Sequence, residues 1–103
     1  MSTIKVRARQ VDGITQIRIL ITHPMHNGRL RDPETGTIPA PLYIERLRIE
    51  HGARLVADCR LSTSVSRDPY LAFRFRGGAP GDRIRVSWTD NHGHSDQSEA
   101  EIR

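Results

Sequence analysis

The feature that most constrains this chain is a hydrophobic period of two residues that returns again and again. Ile4, Val6 and Ala8 alternate with Lys5 and Arg7. Ile17, Ile19 and Ile21 alternate with Arg18 and Leu20, and Leu47 and Ile49 with Arg46, Arg48 and Glu50. Leu55, Ala57, Cys59 and Leu61 stand against Asp58 and Arg60. Leu71, Phe73 and Phe75 alternate with Ala72, Arg74 and Arg76. Ile84, Val86 and Trp88 alternate with Arg83, Arg85 and Ser87, and Ala100 and Ile102 close the chain against Glu99 and Glu101. Such alternation puts one set of side chains on a core face and the other in water, as in a half-buried strand. Turn signals separate the segments: Asp12-Gly13, His51-Gly52 read as a two-residue hairpin turn, and Asn91-His92-Gly93. No window of a dozen residues holds a helical period. The pattern predicts an all-β fold, an immunoglobulin-like β-sandwich of about seven antiparallel strands. A length of 103 residues fits one domain over residues 1–103.

Composition narrows the function classes. No run approaches the roughly 20 apolar residues of a membrane helix. The N-terminus enters its alternation at once, without the apolar stretch of a signal peptide, so no export signal is expected in the chain. Net charge is +4, and the 16 basic residues are all arginine except Lys5. Arginine binds carboxylates and oxyanions in a fork geometry, which points to acidic partners or anionic cargo. The outward arginines, Arg18, Arg46, Arg48, Arg60, Arg74, Arg76, Arg83 and Arg85, also blunt edge-to-edge aggregation. Single-strand nucleic-acid binders need aromatic platforms. Phe73, Phe75 and Trp88 lie in core phase, leaving Tyr43 and Tyr70. Binding of single-stranded nucleic acid, or of an acidic protein, therefore stands as an alternative rather than the leading expectation.

Residues 23–41 break the pattern, with four prolines, two glycines and no period. Loops beyond roughly 12–15 residues in a compact domain are usually functional or disordered. Met25, Leu30 and Ile38, spaced through this one, predict that it packs against the sandwich.

Candidates for chemistry are few. Cys59 is the single cysteine, and its phase sets it among core positions, where a thiol behaves as a small hydrophobe. A thiol-dependent enzyme using Cys59 is the catalytic alternative. The five histidines do not cluster in the sequence as three or four convergent zinc ligands. His23 reads as a hydrogen-bonding residue at a strand end, and His92 and His94 as solvated turn residues. Gly77-Gly78-Ala79-Pro80-Gly81 joins two strands and has no helix to aim at a phosphate. Asp68, Asp82, Asp90 and Asp96 sit where aspartate commonly forms turns. No cofactor, no metal and no catalytic residue are expected.

Three segments in order resemble the SoxZ family of sulfur-oxidation proteins. They are Ile21-Thr22-His23-Pro24-Met25 followed by Gly28, Arg31, Asp32, Gly36 and Ile38-Pro39; Ser64 to Phe73, with Asp68-Pro69-Tyr70 at its centre; and Trp88-Thr89-Asp90-Asn91-His92-Gly93. The chain is also similar to the C-terminal half of fused SoxYZ-like carriers. The resemblance implies an immunoglobulin-like sandwich that is not an enzyme and pairs with a SoxY-type subunit. In that family the partner carries thiosulfate-derived sulfur on a cysteine of a Gly-rich arm. Other sulfur-oxidation enzymes then act on the loaded arm. It implies a periplasmic heterodimer exported with its signal-bearing partner, and neither nucleic acid nor membrane as a ligand. The expected interface residues are His23, Pro24, Met25, Arg31, Asp32, Ile38, Pro39, Asp68, Pro69, Tyr70 and Asp90.

Overall fold

The structure is a computed structural model that describes residues 2–103. Seven strands follow in chain order: β1 (Ile4–Val11), β2 (Ile14–Ile21), β3 (Ile44–His51), β4 (Arg54–Arg60), β5 (Tyr70–Arg76), β6 (Arg83–Asp90) and β7 (Ser95–Glu101). They form two antiparallel sheets, ordered β1-β2-β5 and β4-β3-β6-β7. The fold is a β-sandwich, as the two-residue period predicts. The crossed pairings β2–β5 and β3–β6 are those of an immunoglobulin-like Greek key in which the fourth strand joins the second sheet.

Local chemistry sets the hairpins. Asp12 and Gly13 both take positive φ, 54° and 78°, as a type I′ turn demands. The β3–β4 turn lies one residue beyond the expected position. Its central residues are Gly52, with φ 58°, and Ala53, while His51 still pairs with Arg54. Glycine suits the positive-φ corner, and the His51 ring is engaged elsewhere, 2.7 Å from Asp82 Oδ2.

The β4 phase also departs from the sequence pattern. Ile49 pairs with Ala57, but Glu50 pairs with Leu55, so Val56 is an extra, bulged residue. The bulge flips the phase. Ala57 and Cys59 keep the inward side, whereas Leu55 turns outward and is 45% exposed. Simple alternation wrongly placed Leu55 in the core.

Inward side chains of β2, β3 and β6 make the centre of the core: Ile17, Ile19, Ile21, Leu47, Ile49, Ile84 and Val86 are fully shielded. One margin of the sandwich is closed. Ala8 bridges Ile102, the Arg103 N–H donates to the Ala8 carbonyl, and the Gln10 N–H donates to the Arg103 carbonyl. Three strands cannot cover four, and the deficit falls at the opposite margin. There β4 and β5 are not hydrogen-bonded to each other. Their inward residues Ala57, Cys59, Leu71, Phe73 and Phe75 are only half-buried.

Gly78 holds the β5–β6 connection against the core. Its φ is 80°, and a Cβ there would run into Thr15 Oγ1 and reach 3.0 Å from Ile102 Cδ1. Thr15 is buried and donates to the Gly77 carbonyl at 2.7 Å, so it cannot retreat cheaply. Gly78→Ala is expected to cost about 2 kcal/mol or more in a denaturant titration, from strain and overpacking together. Gly36→Ala, also at positive φ but in open space, carries only the conformational part and serves as the comparison.

Candidate functional site

The segments that break the strand pattern meet at one end of the sandwich. β2 ends at Ile21, and Pro24 stops the strand from continuing. His23 is left at the turn with its ring inward, 4% exposed. Its backbone is fixed by Asp68: the His23 N–H donates to Asp68 Oδ1 at 3.0 Å, and the Asp68 N–H donates to the His23 carbonyl at 2.9 Å. Asp68 takes φ 52°, a left-handed conformation that aspartate tolerates better than most residues. Met25 also has positive φ, 49°, which is unusual for a long side chain. Met25 is buried, and its Sδ accepts the Ile44 N–H at 3.3 Å.

The His23 ring is committed on both nitrogens. Nδ1 accepts the Met25 N–H at 3.1 Å, so Nε2 bears the proton and donates to Asp90 Oδ2 at 3.2 Å. The Trp88 ring stands edge-on to it, with centroids 5.2 Å apart and planes at 83°. Asp90, the last residue of β6, is 3% exposed. Its Oδ1 accepts the N–H groups of His92 and His94, each at 2.9 Å, and its Oδ2 lies 3.0 Å from His94 Nδ1. Burial pushes the Asp90 carboxyl up, but hydrogen bonds from His23, from the two backbone N–H groups and from the His94 ring outweigh it. The net result lies below the ordinary carboxylate range. Neither His23 nor Asp90 keeps a free lone pair aimed at an open space. Their arrangement holds three loops together and offers no base to a substrate.

The proline-rich loop is clasped at its base. His26 and Leu42 exchange two backbone hydrogen bonds, 2.7 and 2.9 Å. Asn91 donates from Nδ2 to the Pro41 carbonyl at 3.0 Å and accepts the Tyr43 N–H at 2.9 Å. Beyond the clasp the loop makes its own turns. Asn27 Oδ1 accepts from Arg29 and Leu30, Asp32 Oδ1 accepts the Glu34 N–H, and Arg31 donates to the Gly36 carbonyl. These bonds satisfy the loop backbone without an apolar anchor. Leu30 and Ile38 therefore face solvent, 74% and 50% exposed. Of the three residues expected to pack this loop, only Met25 does so.

The eleven expected interface residues divide accordingly. His23, Met25, Pro69 and Asp90 are buried and position loops. Arg31, Ile38, Asp68 and Tyr70 are exposed, and Pro24, Asp32 and Pro39 half-buried. A cleft of about 490 Å³ lies between the proline-rich loop and the Thr63–Arg67 segment, with Pro24, Leu30, Arg31, Pro39 and Arg67 among its walls. Tyr70 stands apart from it, paired across strands with Leu20. Among the described residues, no three His, Cys, Asp or Glu side chains are grouped to hold a metal ion. No helix among the described residues is long and apolar enough to cross a membrane.

Cys59 faces inward from β4, opposite the shielded Leu47, and is half-buried. Burial, and secondarily the Asp58 charge, push its thiol up. An activated thiol needs the opposite shift.

The sequence model of the family described as "Sulphur oxidation protein SoxZ" matches residues 4–101. The chain belongs to the SoxZ family. It is a sulfur-oxidation protein in that sense. A search of curated proteins finds no match. Among solved structures it is similar to a superoxide reductase (neelaredoxin) from Archaeoglobus fulgidus, a point mutant in the reduced form. The TM-score is 0.61 at 12% identity, over 97% of this chain and 88% of that one. So distant a likeness speaks for the sandwich fold alone.

The SoxZ-like segments acquire a physical sense from the geometry. His-Pro-Met, Asp-Pro-Tyr and Trp-Thr-Asp-Asn-His-Gly are remote in sequence and meet in one hydrogen-bonded node. Two parts of the region escaped the sequence reading. Thr3 links the Trp88 indole, 3.1 Å away, to Asp96 Oδ2 at 2.7 Å. Asp96 is thereby a tie across the sandwich end, and not only a turn former. The half-open margin between β4 and β5 was also missed. Its one sequence signal is the odd strand number, which cannot divide into equal sheets.

Proposed function

We propose that this SoxZ-family protein is the non-catalytic subunit of a SoxYZ-type carrier. It pairs with a SoxY-type subunit whose cysteine holds sulfur intermediates during thiosulfate oxidation, and the pair presents that cargo to other enzymes. We place the heterodimer in the periplasm, reached by export with the signal-bearing partner. Family membership supports the sulfur-oxidation setting. The observation that carries the pairing is the unfinished margin of the sandwich. Leu61, Leu71, Phe73 and Phe75 pack on the core yet remain half-exposed between two free strand edges. Apolar surface next to open edges is what a partner subunit covers. Exposed Tyr70, Asp68, Ile38 and Arg31 are rim contacts in this arrangement. Buried His23, Pro69 and Asp90 hold that rim in shape.

Co-expression with a SoxY-type subunit tests the proposal. A one-to-one complex on size-exclusion chromatography is expected. Intact-mass measurement should find the sulfur adduct on the partner, and Cys59→Ser should leave its yield unchanged. Two species eluting separately would overturn the pairing. Loss of the adduct in Cys59→Ser would move the cargo to this chain.

A further inference from the structure

The two outer faces of the sandwich are charged in different ways. On β4-β3-β6-β7 acidic residues are interleaved with the cations and three arginines are paired, whereas Arg48, Arg54 and Arg60 are in no ion pair among the described residues. Arg46 meets Asp58 at 2.6 Å, Arg85 meets Glu99 at 3.1 Å, and Arg83 lies 3.3 Å from Glu99 and 3.9 Å from Glu101. On β1-β2-β5 the outward positions carry Lys5, Arg7, Arg9, Arg18, Arg74 and Arg76, all exposed, and no acidic residue. None of the six takes part in an ion pair among the described residues. Acids border the face without standing on it: Asp12 in the hairpin turn, Asp68 before Tyr70, and Glu101 on β7, which shares a cleft with Arg7, Arg9 and Arg18 and lies 3.9 Å from Arg83.

Register makes the charge dense. Arg7 stands directly opposite Arg18, and Arg9 and Arg74 flank Gln16 from the two neighbouring strands. Like charges directly opposite on a sheet are destabilising. The other sheet also sets Arg46 opposite Arg60, but there Arg46 is tied to Asp58, and Arg83 and Arg85 stand opposite glutamates; the acid-free grid is particular to β1-β2-β5. A face that accepts self-repulsion in the free protein gains when a partner brings the missing charge.

We propose that the outer face of β1-β2-β5 docks a carboxylate-rich surface of a partner protein. This surface is distinct from the apolar margin assigned to the SoxY-type subunit, the two meeting only at Tyr70 on the β5 edge. The cations form a grid, spaced roughly 7 Å along a strand and about 5 Å between strands. A nucleic-acid strand offers a line of phosphates, whereas a folded acidic surface offers carboxylates in two dimensions. Arginine forks match carboxylates directly. The ends of the grid are apolar rather than stacking platforms: Val11 and Ile14 at one, Leu20 and Tyr70 at the other, with Tyr70 the lone aromatic. Arginine, tyrosine and aliphatic residues together compose a protein-binding patch.

The test uses the full chain and a fluorescent poly-L-glutamate, read by anisotropy at low and physiological salt. Arg7→Glu with Arg18→Glu is expected to weaken binding about tenfold or more at low salt. Arg54→Glu with Arg60→Glu makes the same change in net charge on the other sheet and should weaken it less than about threefold. Arg7→Gln with Arg18→Gln should fall between. Arg7→Gln with Arg18→Gln removes the opposed like charges and should melt at or above the parent, and Arg7→Glu with Arg18→Glu, whose opposed carboxylates gain Lys5, Arg9 and Arg74 as neighbours, should melt within a few degrees of it, so the loss is not unfolding. Equal weakening by the two charge reversals would overturn the docking face. Tighter binding of oligo-dT, or of vesicles rich in phosphatidylglycerol, than of poly-L-glutamate would replace the protein partner with a nucleic acid or a membrane. Pairing with the SoxY-type subunit is scored on the same variants and should be unchanged, which separates this proposal from that one.

Discussion

Asp90→Ala should lose about 3 kcal/mol of stability, equivalent to a fall of roughly 15 °C in melting temperature for a domain of this size. The reason lies in what the carboxylate holds. It accepts from two backbone N–H groups and from the rings of His23 and His94 while 3% exposed. The turn N–H groups can turn to water once the acceptor is gone. The His23 Nε2–H cannot, because the ring is buried against Trp88 with Nδ1 already taken by Met25. An orphaned buried donor costs its full desolvation. His23→Ala alone should be costly for the same reason in mirror image. The double variant should lose clearly less than the sum, with a coupling of roughly 1–2 kcal/mol. Strict additivity in chemical denaturation would mean that the two residues do not act as one node.

Acid should reproduce part of this loss in the parent protein. The Asp90 carboxyl lies below its reference of 3.8 in the folded state. A depressed carboxyl favours folding at pH values above the unfolded pKa, and that contribution drains away as pH falls through the folded value. Asp96, held down first by the Thr3 N–H and Oγ–H, and Asp82, held down first by His51, act with the same sign. Stability should therefore be flat from neutrality down to about pH 5 and then drop. In Asp90→Ala the acid-side slope should be shallower, since one of the linked protons is gone. An unchanged slope would assign the acid response to the other carboxylates.

How much of this was legible in the sequence follows from range. Strand phase is a local property, so Ile17-x-Ile19-x-Ile21 and Ile84-x-Val86-x-Trp88 announced both the strands and their inner faces. The Val56 bulge was hidden because one extra residue leaves Leu55, Ala57 and Cys59 still alternating in the sequence while the register beneath them shifts. The node was visible only as residue types. Nothing near His23 in the chain reveals that its proton goes to a carboxylate 67 residues away. Leu30 and Ile38 misled for a related reason. Hydrophobicity marks a residue as worth burying, but the loop had already met its backbone needs through Asn27 and Asp32. The contrast between the two outer faces was also out of reach. Arg7, Arg18 and Arg74 read like Arg83 and Arg85 until the register shows which have a glutamate opposite.

Leu61→Asp should abolish most of the pairing with a SoxY-type subunit, weakening it by about 2–3 kcal/mol, or roughly 30- to 150-fold. Leu61 follows β4 and packs on the core from the open margin, where it is only half-buried. In the free chain a carboxylate there can turn to water, so the monomer should keep its strand signature and a cooperative melt. In the complex the same group would sit uncompensated between two apolar surfaces, which is among the most costly changes an interface can suffer. Leu55→Asp is the internal control. It makes the same chemical change on the same stretch of chain, but the bulge has rotated Leu55 to the outer face. Its effect should stay within about 0.5 kcal/mol on both stability and pairing. The bulge thus makes opposite predictions for two leucines that simple alternation placed on one face. Equal losses from both would mean that the partner grips β4 from outside. No loss from Leu61→Asp would leave the unfinished margin without a role in pairing.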